Sequence, residues 1–246
     1  MSTGTLWGIG VGPGDPRELT LRAVDVLTAC AVVAVPRVVG SAVSGVGSIV
    51  RPHLEAAGAA DRLAEFPLPV SDRHGELAAA LDATAEHLAG HLAAGRDVAY
   101  CTLGHPLLYS TFPALAGRVA ERLPAVRRAV VSGVSSPAAA AARLADALAS
   151  GRQRLAVVPV GDDLSGLDAV LTSFDAVVLL KVDRAFGRLV DCLDAAGRLA
   201  DAVLLSRVGR PDEEIVHDLR AAADAPVDYL SLVLVRRPDG GRLSWW

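Results

Sequence analysis

The sequence predicts an α/β fold on three observations. Short runs rich in β-branched residues alternate with longer stretches rich in alanine and leucine. Several of the short runs end in a Gly- or Ser-containing turn that leads straight into helical spacing. After Arg152 the texture shifts to closely spaced strands with few helices between them. Together these indicate two α/β domains, residues 1–150 and residues 151–246, the second with antiparallel pairing.

The elements follow in order. TLWGIGVG, residues 5–12, is the first strand. Asp15 is placed as an N-cap, with Pro16 at the first helical position, Glu18 at the third, and RELTLRAVDVLTA as the helix. AVVAVP is a strand that ends at Pro36, and residues 39–53, rich in Gly and Ser, form either a mobile connection or a helix start. A short strand lies around RLAEFPLP, and a long helix runs from about Gly75 to Ala94. DVAYCTLGHPLLYST gives strand, tight turn and helix start, and RRAVVSGVSSPAAAAARLADAL repeats that plan. Three strand-to-loop turns of the first half can thus meet at the carboxyl edge of one sheet, where open α/β sheets hold ligands. In the second half RLAVVPV, DAVVLLKV, DAVLLSRV and DYLSLVLVRR are strands, FGRLVDCLDAAG is the one clear helix, and PDGGRL is a closing turn.

Composition narrows the function classes. The 246 residues are 52% hydrophobic with a net charge of −4, and the arginines are scattered, so a nucleic-acid surface is not expected. No segment stays apolar for the ~20 residues of a membrane span and no basic leader opens the chain, which predicts a cytoplasmic protein without membrane association. Cys30, Cys101 and Cys192 are odd in number and far apart, so they are expected to be reduced and buried, without a disulfide or a zinc site. His87 and His91 stand at i, i+4, but Leu88 occupies the place of the zincin glutamate, so no metal is predicted. His53, His74 and His217 lie in polar contexts that form no constellation, and GxSxG occurs at no strand-to-helix turn. Trp245 and Trp246 are expected to pack as a tail.

The glycine-crowded stretch GIGVGPGDPRELTLRA, residues 8–23, demands an explanation. A dinucleotide fingerprint needs glycines at i, i+2 and i+5; counted from Gly8 the third place is Pro13, and from Gly10 it is Asp15. No Gly-Lys-Ser/Thr follows, so a phosphate loop fails as well. What remains is a loop whose lack of side chains lets another molecule approach the backbone, or a tight turn capped by Asp15.

VGPGDPRELTLRA resembles the opening motif of the tetrapyrrole methylases, the S-adenosylmethionine-dependent enzymes that methylate uroporphyrinogen and the precorrins. ACAVVAVP, TLGHPLLYSTF, SGVSSPAAAAARL, VVLLKV, SRVGRPDEEI and YLSLVLVRR continue the resemblance along nearly the whole chain. Within the family, TLGHPLLYST, LLKV and YLSLVLVRR are most similar to the precorrin-2 and cobalt-factor II C20-methyltransferases. The resemblance implies a class III methyltransferase with two α/β domains, a cofactor cleft between them, and a homodimer. It places Pro13, Leu103, Gly104, His105, Leu108, Ser135, Ser136, Leu180, Lys181, Val208 and Gly209 at the S-adenosyl-L-methionine site, which also releases S-adenosyl-L-homocysteine. It sets Gly12, Gly14 and Arg17 on the tetrapyrrole side.

Methyl transfer from a sulfonium is an in-line displacement, which asks mainly for orientation. The attacked carbon must then lose a proton, and Asp15 is the candidate acceptor; capping the first helix is its other role. Arg17, Arg22, Arg37 and Arg207 are candidates to pair with substrate carboxylates. Two residues depart from the family pattern: His105 stands where it has the aspartate of Gly-Asp-Pro, and Ser132 where it has proline. The first exchanges an anion for a group neutral or cationic near pH 6.5. These departures keep two other readings in view, a non-catalytic binding relative and a methyltransferase with a different acceptor in a secondary-metabolite pathway.

Overall fold

The computed structural model describes residues 2–69 and 75–236; His74, the PDGGRL turn, Trp245 and Trp246 lie outside the described residues. The chain divides into two compact units, Met1–Ser135 and Ser136–Trp246, so the division falls after Ser135 and not after residue 150.

In the first unit β1 (Thr5–Gly10), β2 (Val32–Val38), β3 (Leu63–Leu68), β4 (Val98–Thr102) and β5 (Arg127–Val131) form one sheet in the order β3-β2-β4-β1-β5. Every pairing in it is parallel. The helices α1 (Leu21–Ala29) and α2 (Gly45–Ala56) cover one face, burying Ala23, Leu27, Ile49, Val50 and Leu54 against Ile9, Val33 and Cys101. On the other face α3 (Glu76–Ala93) and α4 (Phe112–Arg122) bury Leu88, Leu92, Leu115 and Val119 against Leu6, Val98 and Tyr100. Strand alternation produces this two-sided core: Val98 and Tyr100 of β4 face one helix layer, Ala99 and Cys101 the other. Gly8 is required in β1 because a Cβ there would come within 2.5 Å of the Phe112 ring.

Three local departures from expectation have physical causes. Asp15 caps a 3₁₀ turn at Pro16–Glu18, and α1 starts separately behind Thr20, whose hydroxyl accepts from the Ala23 N–H at 3.1 Å. β1 stops at Gly10, short of residue 12, because Gly12 pairs instead as an isolated bridge with Gly104. β2 continues through Pro36 to Val38; β4 pairs with β2 only as far as Ala34, so Pro36 meets no partner on that side. The Gly/Ser segment takes the second of its two expected forms, a helix start: the Ser44 hydroxyl accepts from the Gly47 N–H at 2.9 Å and donates to the Pro36 carbonyl at 2.6 Å.

The second unit opens with α5 (Ser136–Leu144) and builds a mixed sheet from β6 (Leu155–Pro159), β7 (Ala176–Leu180), β8 (Ala202–Ser206), β9 (Glu214–Val216) and β10 (Ser231–Arg236), in the order β6-β7-β10-β8-β9. β6 and β7 are parallel, while β10 runs antiparallel to both of its neighbours. Helices α6 (Leu167–Ser173) and α7 (Phe186–Ala195) contribute Leu171, Phe186, Leu189 and Leu193 to a core with Val177, Leu179, Leu204 and Val233. Helix α6 and strand β9 go beyond the elements expected from the sequence. Cys30 and Cys101 are buried free thiols, and Cys192 is only half-buried.

Candidate functional site

In the first unit the site residues collect at the carboxyl edge of the sheet. β1 and β4 are neighbours, yet α1 packs on one face and α4 on the other, which makes their carboxyl ends the switch point at which open α/β sheets hold ligands. Gly12 and Gly104 stand at that point. Gly104 donates its N–H to the Gly12 carbonyl at 2.9 Å, and both glycines are left-handed, at φ +78 and φ +65. A third loop joins them after β5: a Cβ on Gly133 would lie 2.2 Å from the Gly104 carbonyl oxygen, and one on Gly10 would lie 2.6 Å from the Gly133 nitrogen. Backbone therefore packs on backbone across three strand-end loops. The sequence motif exposed the glycines of the first loop but gave no sign that Gly10, Gly104 and Gly133 touch.

Around this contact Pro13 is buried, whereas Gly14, Leu103, His105 and Ser135 are partly buried. Leu108 is exposed, together with Leu107 and Tyr109. The His105 Nδ1 accepts the Leu107 N–H at 3.1 Å. This is the turn bond that an aspartate side chain makes in the same kind of loop, so the histidine preserves the local geometry. It also leaves Nε2 as the nitrogen that carries the proton in the neutral ring. Thr102, at the foot of the same turn, is buried with its hydroxyl unpartnered among the described residues. Spacing alone gave no reason to select it.

The loop after β1 is tied internally. The Asp15 carboxylate accepts from the Arg17 main-chain N–H at 2.8 Å and from the Arg17 side chain at 2.7–3.1 Å, which holds the guanidinium more firmly protonated than an isolated one. Cap and proton acceptor thus compete for the same lone pairs. His53 on α2 reaches the Pro16 carbonyl through Nε2 at 2.9 Å and steadies this turn. Of the four candidate arginines, Arg17 is paired with Asp15, Arg37 with Glu65, and Arg207 with Asp212, whereas Arg22 is exposed with no partner among the described residues.

In the second unit Leu180 and Lys181 close β7, and Val208 and Gly209 follow β8. β7 and β8 both run antiparallel to β10, so their carboxyl ends share one edge of the sheet. Ser206 and Ser231 meet there through a buried hydroxyl pair at 2.8 Å. Lys181 and Arg207, the residues that leave the two strands, are both left-handed, at φ +57 and φ +53. Non-glycine residues held in that region concentrate at functional turns. Ser136 begins α5 in the same unit.

The His87 and His91 rings lie tilted against each other, 5.1 Å between centroids, with Phe66 edge-on to His87 at 5.4 Å. No group of three or more metal-ligating side chains occurs among the described residues. No helix among them is long and apolar enough to cross a membrane.

An S-adenosyl ligand presents an uncharged base, ribose hydroxyls and a zwitterionic amino acid. Such a ligand is recognised by neutral main-chain groups and hydroxyls; in the first unit the left-handed Gly12 and Gly104 turns, Ser135 and the Thr102 hydroxyl, unpartnered among the described residues, are groups of that kind. The residues present fit the group.

The cobalamin biosynthesis protein CobIJ of Mycobacterium tuberculosis is 35% identical over 97% of this chain, and the chain spans about half (46%) of the length of that relative. The precorrin-2 C(20)-methyltransferase of a Sinorhizobium species is 32% identical over 96% of both chains. The cobalt-precorrin-2 C(20)-methyltransferase of Salmonella typhimurium is 32% identical over 95% of this chain and 97% of the relative. Among solved structures, cobalt precorrin-4 methyltransferase CbiF has the same fold, with a TM-score of 0.70 at 19% identity over 94% of each chain. The Thermus thermophilus uroporphyrin-III C-methyltransferase, solved with S-adenosyl homocysteine, gives a TM-score of 0.64 at 21% identity over 95% of this chain and 98% of that one. Residues 5–224 match the model of the tetrapyrrole (corrin/porphyrin) methylases, and the chain belongs to that family.

Proposed function

We propose that the chain is an S-adenosyl-L-methionine-dependent C-methyltransferase that acts on precorrin-2 at C20 in cobalamin biosynthesis. The observation that carries this reading is the similarity, over 96% of both chains, to a relative named for that reaction. The three-loop glycine contact supports it, because a ligand edge made of main chain tolerates both departures from the family pattern. His105 retains the turn bond, which favours a working site over an eroded one.

When bound, S-adenosyl-L-methionine supplies an electrophilic methyl group on a sulfonium. Everything else falls to the residues of the chain. Pro13, Leu103, Gly104, His105, Leu108 and Ser135 in the first unit, with Ser136, Leu180, Lys181, Val208 and Gly209 in the second, hold the ligand. Their task is orientation, worth several orders of magnitude in rate when the reacting atoms are aligned. Gly12, Gly14 and Arg17 face the tetrapyrrole, and the unpaired Arg22 is the best placed of the candidate arginines to meet a substrate carboxylate. Asp15 accepts the proton released from the methylated carbon, a step that requires its fork with Arg17 to loosen. A cytoplasmic homodimer is part of the same reading.

The test is anaerobic incubation with isotopically labelled S-adenosyl-L-methionine and a reduced tetrapyrrole. Label in the macrocycle is the expected result, and absence of transfer to any reduced tetrapyrrole rules the reading out.

A further inference from the structure

Arg207 is the hub of the connections at the ligand edge of the second sheet. It leaves β8 in a left-handed conformation, φ +53, which is costly for a residue with a Cβ. Its main-chain N–H donates to the Leu230 carbonyl at 2.8 Å, ahead of β10, and its Nε donates to the Asp212 carbonyl at 2.9 Å. Three carboxylates surround the guanidinium: Asp212 Oδ2 at 2.9 Å from Nε, Glu214 Oε2 at 3.6 Å from Nη2 and Asp228 Oδ2 at 3.6 Å from Nη1. Asp228 in turn accepts from the Leu230 N–H at 2.7 Å. One residue along, the Gly209 N–H donates to Glu213 Oε2 at 2.5 Å, and Arg143 Nε donates to that oxygen at 3.0 Å.

The guanidinium is hydrogen-bonded at Nε and has a carboxylate 3.6 Å from each terminal nitrogen, so its charge is already shared within the protein. We propose that Arg207 is a positioning residue, whose fork gathers residues 212–214 and 228–230 so that the Val208–Gly209 turn keeps the shape that receives the S-adenosyl ligand. Without it Asp212, Glu214 and Asp228 lose the cation they share, and both segments lose their tie to the turn. The inference rests on the cofactor reading above.

Calorimetric titration with S-adenosyl-L-homocysteine, on the full chain, tests it. The variants are Arg207→Gly, Arg207→Ala, Arg207→Lys and Asp212→Asn, each checked for folding by circular dichroism. Glycine takes φ +53 without strain, so Arg207→Gly removes the fork and spares the backbone. Arg207→Gly and Arg207→Ala are each expected to weaken binding by roughly tenfold, with Arg207→Lys and Asp212→Asn in between. In turnover the Michaelis constant for the methyl donor rises while the saturated rate is kept, a split that lost stability alone does not give. Unchanged affinity in folded Arg207→Gly, or in both Arg207→Lys and Asp212→Asn should the glycine variant not fold, overturns the proposal. Failure of the wild type to bind overturns the cofactor reading and this inference with it.

Discussion

Gly133 tests whether the candidate site depends on backbone contact. A methyl group there would stand 2.2 Å from the Gly104 carbonyl oxygen, a distance no side-chain rotation can relieve. Gly133→Ala is expected to lose about 1–3 kcal/mol in denaturant unfolding and to lose ligand binding disproportionately. Asp15 separates its two roles differently, because asparagine is as good a cap as aspartate but a poor proton acceptor. Asp15→Asn is therefore expected to keep the melting temperature and lower the saturated rate; an unchanged rate would leave Asp15 as a cap alone. At His105 the acceptor is what counts. His105→Asp should keep ligand affinity and His105→Ala should weaken it, as read by calorimetry. Glycines and turn residues were legible in the sequence because each has few backbone solutions. Arg207 was legible only as a loop arginine: its carboxylate partners come from residues 212, 214 and 228, and nothing in the spacing joins them.

Strong strands and long helices declared themselves through their period, and the first sheet and α3 follow the expected plan. The short elements did not. Helix α6 has seven residues and β9 three, too few for a period to show. The start of α1 was misplaced because Asp15 and Thr20 are both sound caps, and Pro16 suits a 3₁₀ turn as well as an α-helix. Buried charge within the second unit gives an element-level test. Arg198, 7% exposed, donates to the Leu171 carbonyl at 2.5 Å, to the Asp175 carbonyl at 3.3 Å and to Asp201 at 3.2 Å. It ties the end of α6 and the start of β7 to the connection before β8. Arg198→Met should cost about 3 kcal/mol in chemical denaturation, since it strands a half-buried carboxylate and two carbonyls.

For the whole molecule, the family was legible because the motifs run along nearly the entire chain, while the arrangement of the second sheet was not. β10, the last strand among the described residues, inserts between β7 and β8, a long-range pairing that no local pattern encodes. Global stability should fall in alkali. Burial pushes the Cys30 thiol up to about 12 and the Tyr100 phenol up to about 12, and raises Cys101 as well. These groups are neutral when protonated, so their contribution is complete below their unfolded values, about 8.5 for thiols and about 10 for phenols. It is then lost as pH rises through the folded values, at up to about 1.4 kcal/mol per pH unit for each group. Melting curves from pH 8 to 11 should show a steady decline, with a shallower slope in Cys30→Ala.

The most direct measurement of where the methyl group goes is the carbon-13 NMR spectrum of the macrocycle recovered after anaerobic reaction of the protein with precorrin-2 and methyl-labelled S-adenosyl-L-methionine. A single new labelled methyl resonance, on C20, is expected. Label on any other carbon, or an unlabelled macrocycle beside protein that binds S-adenosyl-L-homocysteine, would contradict it.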